Sequence, residues 1–283
     1  MQMRCAYEAK ERAAPAAPAH LYSLTDAAGL DAAVRSKTLP AYDWRLGLDP
    51  SLVRYGVAVV EGFLAARLEA CTDPLRTQFC RAALENFHPR GTHFDGFVVR
   101  LFDCEEAGTT PNCPGYALGV RAADLPLRLG QAIYAPTRQL AIVAAAYQAC
   151  EDYFVSAVDR FGGRHRADLL TPCWDTFRHH IGMWLMRYRQ PHLAAEREWI
   201  GVALAKPQQE ADPVTFPIVG NRLLPAVRIH IGARTLETIT IGATLPFETT
   251  CEALRAYLGR HGMHGIAIAG SARRGGGGAA EIA

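Results

Sequence analysis

Strands and helices intersperse along this chain without a regular βαβ repeat and without a Gly-rich phosphate loop, and that pattern predicts an α+β fold. Three observations support it. Short strand-like runs stand at 20–24 and 97–102, and runs rich in β-branched residues fill the last third of the chain, at 226–231 and 236–241. Two long stretches in the middle, 138–161 and 172–189, carry apolar residues at helical spacing. No long linker, repeat or low-complexity segment divides residues 20–274, so a single domain is expected between a loose N-terminal tail, 1–19, and a Gly-rich C-terminal tail, 275–283.

The elements follow in order. His20-Leu21-Tyr22-Ser23-Leu24 reads as a short strand, and Thr25 or Asp26 can cap a helix running to about Ser36. Residues 39–45 read as extended, and Tyr55 to Val60 as a strand buried on both faces. Helices are expected near 61–71 and 74–87, the second opened by Pro74 with Leu75, Phe79, Ala82 and Ala83 on one stripe. Strands at 97–102 and 116–120 flank a loop containing Cys104, Cys113 and Pro114.

In the helix over 138–161, Leu140, Val143, Tyr147, Phe154, Val158 and Phe161 recur at spacings of three, four and seven, and Gly162-Gly163 ends it. From about Pro172 a second helix aligns Trp174, Phe177, Ile181, Trp184 and Tyr188, a stripe read as core. Strands at 199–205, 226–231 and 236–241 precede a helix over 249–260 and a closing strand over 264–269.

Composition excludes several classes of function. The 283 residues are 49% apolar and 20% charged, with a formal net charge of +2, which is the balance of a globular protein and not of a charge-driven nucleic-acid binder. Cysteines at 5, 71, 80, 104, 113, 150, 173 and 251 include no CxxC, and several lie within apolar helical patterns, so buried thiols are expected and not a disulfide framework. The first 20 residues lack the apolar core of a secretory signal, and no uncharged run of about 18 residues exists. A soluble, cytoplasmic protein with no membrane association is the expectation. His88, His93, Cys104, Cys113, His179 and His180 do not fall at zinc-site spacings, so no metal is expected.

Glu196-Arg197-Glu198 is the sharpest chemical signal. On an extended strand the two carboxylates project to one face, roughly 7 Å apart. One can then hold a ribose hydroxyl or steady a developing cation while the other engages a nucleophile.

The order of short motifs resembles a large bacterial family of uncharacterised domains related to the ADP-ribosyltransferase fold. Those motifs are Leu21-Tyr22-Ser23-Leu24-Thr25, Asp49-Pro50, Phe97-Val98-Val99-Arg100-Leu101-Phe102, Glu196-Arg197-Glu198-Trp199, Ile239-Thr240-Ile241-Gly242-Ala243 and Ile266-Ala267-Ile268-Ala269-Gly270-Ser271. The resemblance spans residues 20–274 and implies a split mixed β-sheet with flanking helices that grips NAD as substrate. It implies Glu198 as the catalytic glutamate at the nicotinamide ribose, and Glu196 as the group that orients or deprotonates a protein or nucleic-acid acceptor. Tyr22, Ser23 and Thr25 would line the cofactor cleft, with Arg100 on the second strand and His20 in place of a missing first-strand cation.

Departures from the family pattern open alternatives. Ser23 stands where the family has histidine, and Ile200 where it has arginine after Glu-x-Glu-Trp. Three functions follow: an ADP-ribosyltransferase or NAD-cleaving effector or defence-type protein; a binding or interaction protein on the same fold; and a nucleic-acid-binding protein using Arg178, Arg187, Arg189 and Arg197.

Overall fold

The computed structural model describes residues 16–87, 96–104, 115–162, 166–204, 214–219, 221–232 and 234–271. Residues 1–15 of the expected N-terminal tail (1–19), the expected C-terminal tail at 275–283, and His88, His93, Cys113 and Pro114 of the sequence reading lie outside them. The chain is a mixed α/β protein with a largely antiparallel mixed sheet and flanking helices. Its described residues form two compact units, one helical, from 43–96 and 132–194, and one built on the sheet, from 16–42, 97–131 and 195–271. Each unit is assembled from segments distant in sequence, a division that local patterns do not reveal. No helix of the described residues is long and apolar enough to cross a membrane.

The sheet unit contains β1 (His20–Thr25), α1 (Ala27–Ser36) and most of β2 (Thr38–Asp43). Asp26 caps α1 through the backbone N–H of Gly29, and Lys37 closes it in the left-handed conformation. Next come β3 (Gly96–Phe102), β4 (Tyr116–Arg121) and β5 (Arg128–Gln131), the last a strand the sequence did not announce. β6 (Glu198–Leu204), the hairpin of β7 (Ile218–Val219) and β8 (Arg222–Leu223), β9 (Ala226–His230) and β10 (Leu236–Ile241) complete the antiparallel part. β11 (Ala267–Gly270) then pairs parallel with β10, so the closing strand expected at 264–269 starts three residues later.

The main path runs β11-β10-β4-β1-β3-β2-β9, and β6 pairs with both β3 and β5. β3 therefore has three partners, β1, β2 and β6. A strand has two edges, so two of these share one edge and the sheet branches at β3. One face carries Leu21, Val99, Leu101, Leu118, Val120, Trp199, Ile239 and Ile241, packed with Leu30 and Val34 of α1. Cys251, Leu254 and Leu258 of the helix following β10 (Phe247–Arg260) join the same core.

The helical unit holds the short α2 (Trp44–Gly47), then α3 (Pro50–Ala70), α4 (Pro74–Glu85), α5 (Pro136–Phe161) and α6 (Arg166–Leu185), which makes the helix over Phe247–Arg260 α7. Two sequence expectations are corrected here. Residues 55–60 are the interior of α3 and not a strand. Their β-branched content favours a strand locally, but Asp49 caps the Ser51 N–H, Pro50 opens the first turn, and Leu52, Gly56, Val57, Val60 and Leu64 form one buried stripe. A Cβ at Gly56 would stand 3.2 Å from Leu185, so glycine lets α6 approach closely. Helix α6, in turn, begins six residues before Pro172 and carries that proline inside it.

Candidate functional site

The start of β6 gathers the charged residues of interest. Trp199 belongs to the core, so Glu198, one residue before it on the strand, projects to the opposite face. Arg100 does the same on β3, between the core residues Val99 and Leu101. The two meet there: Arg100 donates from Nε to Glu198 at 2.5 Å, and from Nη2 to Glu196 at 3.4 Å. One guanidinium thus bridges both carboxylates of the Glu-x-Glu motif. Glu198 has 0% exposure, while the side chains of Glu196 and Arg100 are 31% and 39% exposed, so the cluster runs from the interior outward.

How the carboxylates converge differs from the extended-strand expectation. Glu196 ends a 3₁₀ turn (Pro191–Glu196), and Arg197 sits at φ 50°, a left-handed conformation that a side chain other than glycine rarely adopts. Only Glu198 is on the strand. Arg197 is tied down by Asp103, just past β3, whose Oδ2 accepts from its Nε at 2.9 Å and its Nη2 at 2.8 Å. The two strands therefore exchange arginines. β3 sends Arg100 to the glutamates at the β6 entry, and that entry sends Arg197 back to the exit of β3. Oδ1 of Asp103 is buried and has no hydrogen-bond partner among the described residues.

The other residues expected at a cofactor cleft are distributed over both faces of β1. Tyr22 pairs across to Gly119 on β4 and Phe102 on β3, which puts it on the face of Arg100 and Glu198. Its ring lies over Gly119, where a Cβ would be 3.1 Å from Tyr22 and 1.9 Å from the Thr238 hydroxyl. His20, also on that face, hydrogen-bonds Glu237, which Arg121 engages as well. Ser23 and Thr25 alternate to the core side, Ser23 opposite Leu118 and Thr25 against the first turn of α1 at Gly29. Tyr22, Arg100 and Glu198 thus share a face; Ser23 and Thr25 do not join them.

The sequence reading missed Asp103 as a partner of Arg197. A carboxylate three positions after Arg100 gives a local cue, but the pairing spans 94 residues. Of the arginines considered for nucleic acid, Arg187 and Arg189 are buried in the helical unit, Arg187 against the Trp184 ring at 4.6 Å. Arg178 lies over Trp174 at 4.5 Å and pairs with Asp175, so these three do not form a solvated basic face. Among the described residues, no three His, Cys, Asp or Glu side chains converge as a metal site requires.

Comparison with protein-family models, with curated proteins and with solved structures returns no match for this chain.

Proposed function

We propose that this chain is an NAD-dependent mono-ADP-ribosyltransferase or NAD-cleaving protein, with Glu198 as its working carboxylate. The observation that supports this most is the meeting of Glu196 and Glu198 on Arg100 where the sheet branches. The order of motifs resembling the ADP-ribosyltransferase-related family adds to it. In the proposed reaction the bond between nicotinamide and ribose breaks, and its electron pair leaves on nicotinamide. Glu198 holds a ribose hydroxyl and stabilises the cationic sugar. Glu196, the more exposed of the pair, takes the proton of the acceptor as the acceptor's nucleophile bonds to the ribose carbon. The acceptor is a protein, a nucleic acid or water, and the setting is that of an effector or defence-type protein in the cytoplasm.

A second function, a non-catalytic binding protein on the same scaffold, is favoured by a different observation. The Glu198 carboxylate has no exposed surface and is held by Arg100, while Ser23 faces the core. Nicotinamide release from purified protein, with label transfer from biotinylated NAD in a cell lysate, separates the two. Turnover by wild type and not by Glu198→Gln supports the enzyme. No turnover by either, together with an NAD-dependent rise in melting temperature, supports the binding protein.

A further inference from the structure

We propose that the hairpin of β7 and β8 docks on an anionic membrane surface, with Phe216, Ile218 and Leu223 in the interfacial layer and Arg222 at the lipid headgroups. None of these residues takes part in the NAD reaction proposed above.

Among the described residues ten large apolar side chains are exposed, and five of them, Val214, Phe216, Ile218, Val219 and Leu223, fall within ten positions of the chain. Exposed apolar residues scattered singly are ordinary, whereas a contiguous group marks a surface that something covers. Ile218 stands opposite Leu223 in the hairpin, and the Thr215–Ala226 bridge continues the same register. Phe216 therefore shares the face of Ile218 and Leu223, and the three are 61%, 74% and 66% exposed. Val219 and Arg222 pair on the opposite face, where Val219 is exposed as well. The two strands form a sheet of their own, and a lone two-stranded ribbon is marginal in water without cover for its apolar side.

The surrounding chemistry favours lipid over a protein partner. Apolar side chains stand on both faces of the ribbon; a protein surface covers one face, while a bilayer interface surrounds an inserted end. From the Thr215–Ala226 bridge to the Val219–Arg222 pair the ribbon runs about 14 Å at about 3.4 Å per residue. That length exceeds the depth of about 5–10 Å at which interfacial helices lie. Residues 213–236 contain Arg222, Arg228 and Arg234 and no Asp or Glu, and all three arginines are exposed. Apolar contact alone holds a small element to a membrane only weakly, and basic residues beside it supply a second attraction, toward anionic headgroups. Arg222 can lay its methylenes along the apolar layer and keep its guanidinium among the headgroups. The expectation of no membrane association came from the lack of a spanning run, and an interfacial ribbon needs none.

Co-sedimentation of the full chain is compared on phosphatidylcholine vesicles and on vesicles with about one-third phosphatidylserine. Wild type is expected to bind the phosphatidylserine vesicles at least about tenfold more tightly, a preference that disappears at about 1 M salt, where charges are screened within about 3 Å. Ile218→Ser with Leu223→Ser leaves every charge in place and should weaken that binding by at least about tenfold. Arg222→Gln with Arg228→Gln should remove the preference instead. No sedimentation with either vesicle, equal binding to both, or unchanged binding by the double-serine protein overturns the proposal. Should the double-serine protein not fold, Phe216→Ser must lower the affinity in the same direction, and its failure to do so is equally decisive. Sedimentation equilibrium without lipid tests the other occupant: a wild-type dimer that the serine substitutions dissociate assigns the face to a second copy and overturns docking on lipid.

Discussion

Among the described residues two glutamates have no exposure, Glu151 in the helical unit and Glu198 in the sheet unit, and their surroundings differ. Glu151 lies in mid-α5. Arg67 of α3 reaches it at 3.0 Å and Arg76 of α4 pairs with it as well, while the Tyr147 hydroxyl donates at 2.8 Å and Gln148 at 3.4 Å. Three helices thus converge on one carboxylate; the Tyr147 ring that serves it is tilted against Phe79, which stacks on Phe154. Burial, together with its bond to Glu151, pushes the Tyr147 hydroxyl far above its ordinary pKa, so it stays a donor. Arg76 also reaches Asp152 at 3.1 Å, just as Arg100 serves Glu196 beside Glu198; the difference is that Glu151 draws arginines from two helices, whereas Arg100 and Glu198 meet beside a left-handed Arg197. Donors converging from two other helices on one carboxylate fasten those helices together.

Replacing both Arg67 and Arg76 with leucine should have the largest effect, because Glu151 then loses both its cations inside the helical unit. Urea unfolding is expected to show a loss of about 3 kcal/mol. A loss under about 1 kcal/mol would erase the contrast. Glu198→Gln should act on chemistry, lowering NAD turnover by about 10²–10³-fold. Tyr147→Phe deletes one donor to a charged group and should cost about 1.5 kcal/mol in the same unfolding experiment. Gly119→Ala would push a methyl into Thr238 and the Tyr22 ring, costing about 1 kcal/mol and weakening any ligand that uses the Tyr22 face.

The smallest effect is electrostatic. The Tyr257 hydroxyl hydrogen-bonds Asp31 at 2.6 Å and Arg35 adds a second bond, which holds the Asp31 carboxyl below its ordinary pKa. A depressed carboxylate contributes stability above its unfolded pKa, and that contribution is lost as pH falls through the folded value. Asp31→Asn should therefore melt slightly below wild type at neutral pH, with the difference closing as pH drops below about 4. A gap that persists at lower pH would show that the carboxylate's charge is not its source.

Periodic elements were legible in the sequence where local and tertiary preferences agree. The apolar spacing of α5 is one case, and the β-branched run of β10 is another. At α3 they disagreed, since Val57, Val59 and Val60 favour a strand locally while Asp49, Pro50 and the helical stripe decide the outcome. The candidate site was half legible. Glu196 and Glu198 stood out as a motif, but their meeting at Arg100 depends on the left-handed Arg197 and on Asp103, almost a hundred residues away in the chain. Glu151 went unmarked because a glutamate in mid-helix has the pattern of a solvated face, and only the arrival of two other helices makes it a buried charge.

The most direct measurement pairs melting temperature with NAD turnover for wild type, Glu198→Gln and Glu151→Gln prepared side by side. The expected result is that Glu198→Gln keeps a melting temperature within a few degrees of wild type, about what a sub-kcal/mol change produces, and loses turnover. Glu151→Gln should melt well below wild type while its folded molecules keep turning over NAD. Equal destabilisation by the two substitutions, with turnover absent from wild type, would contradict the assignment of Glu198 as the working carboxylate.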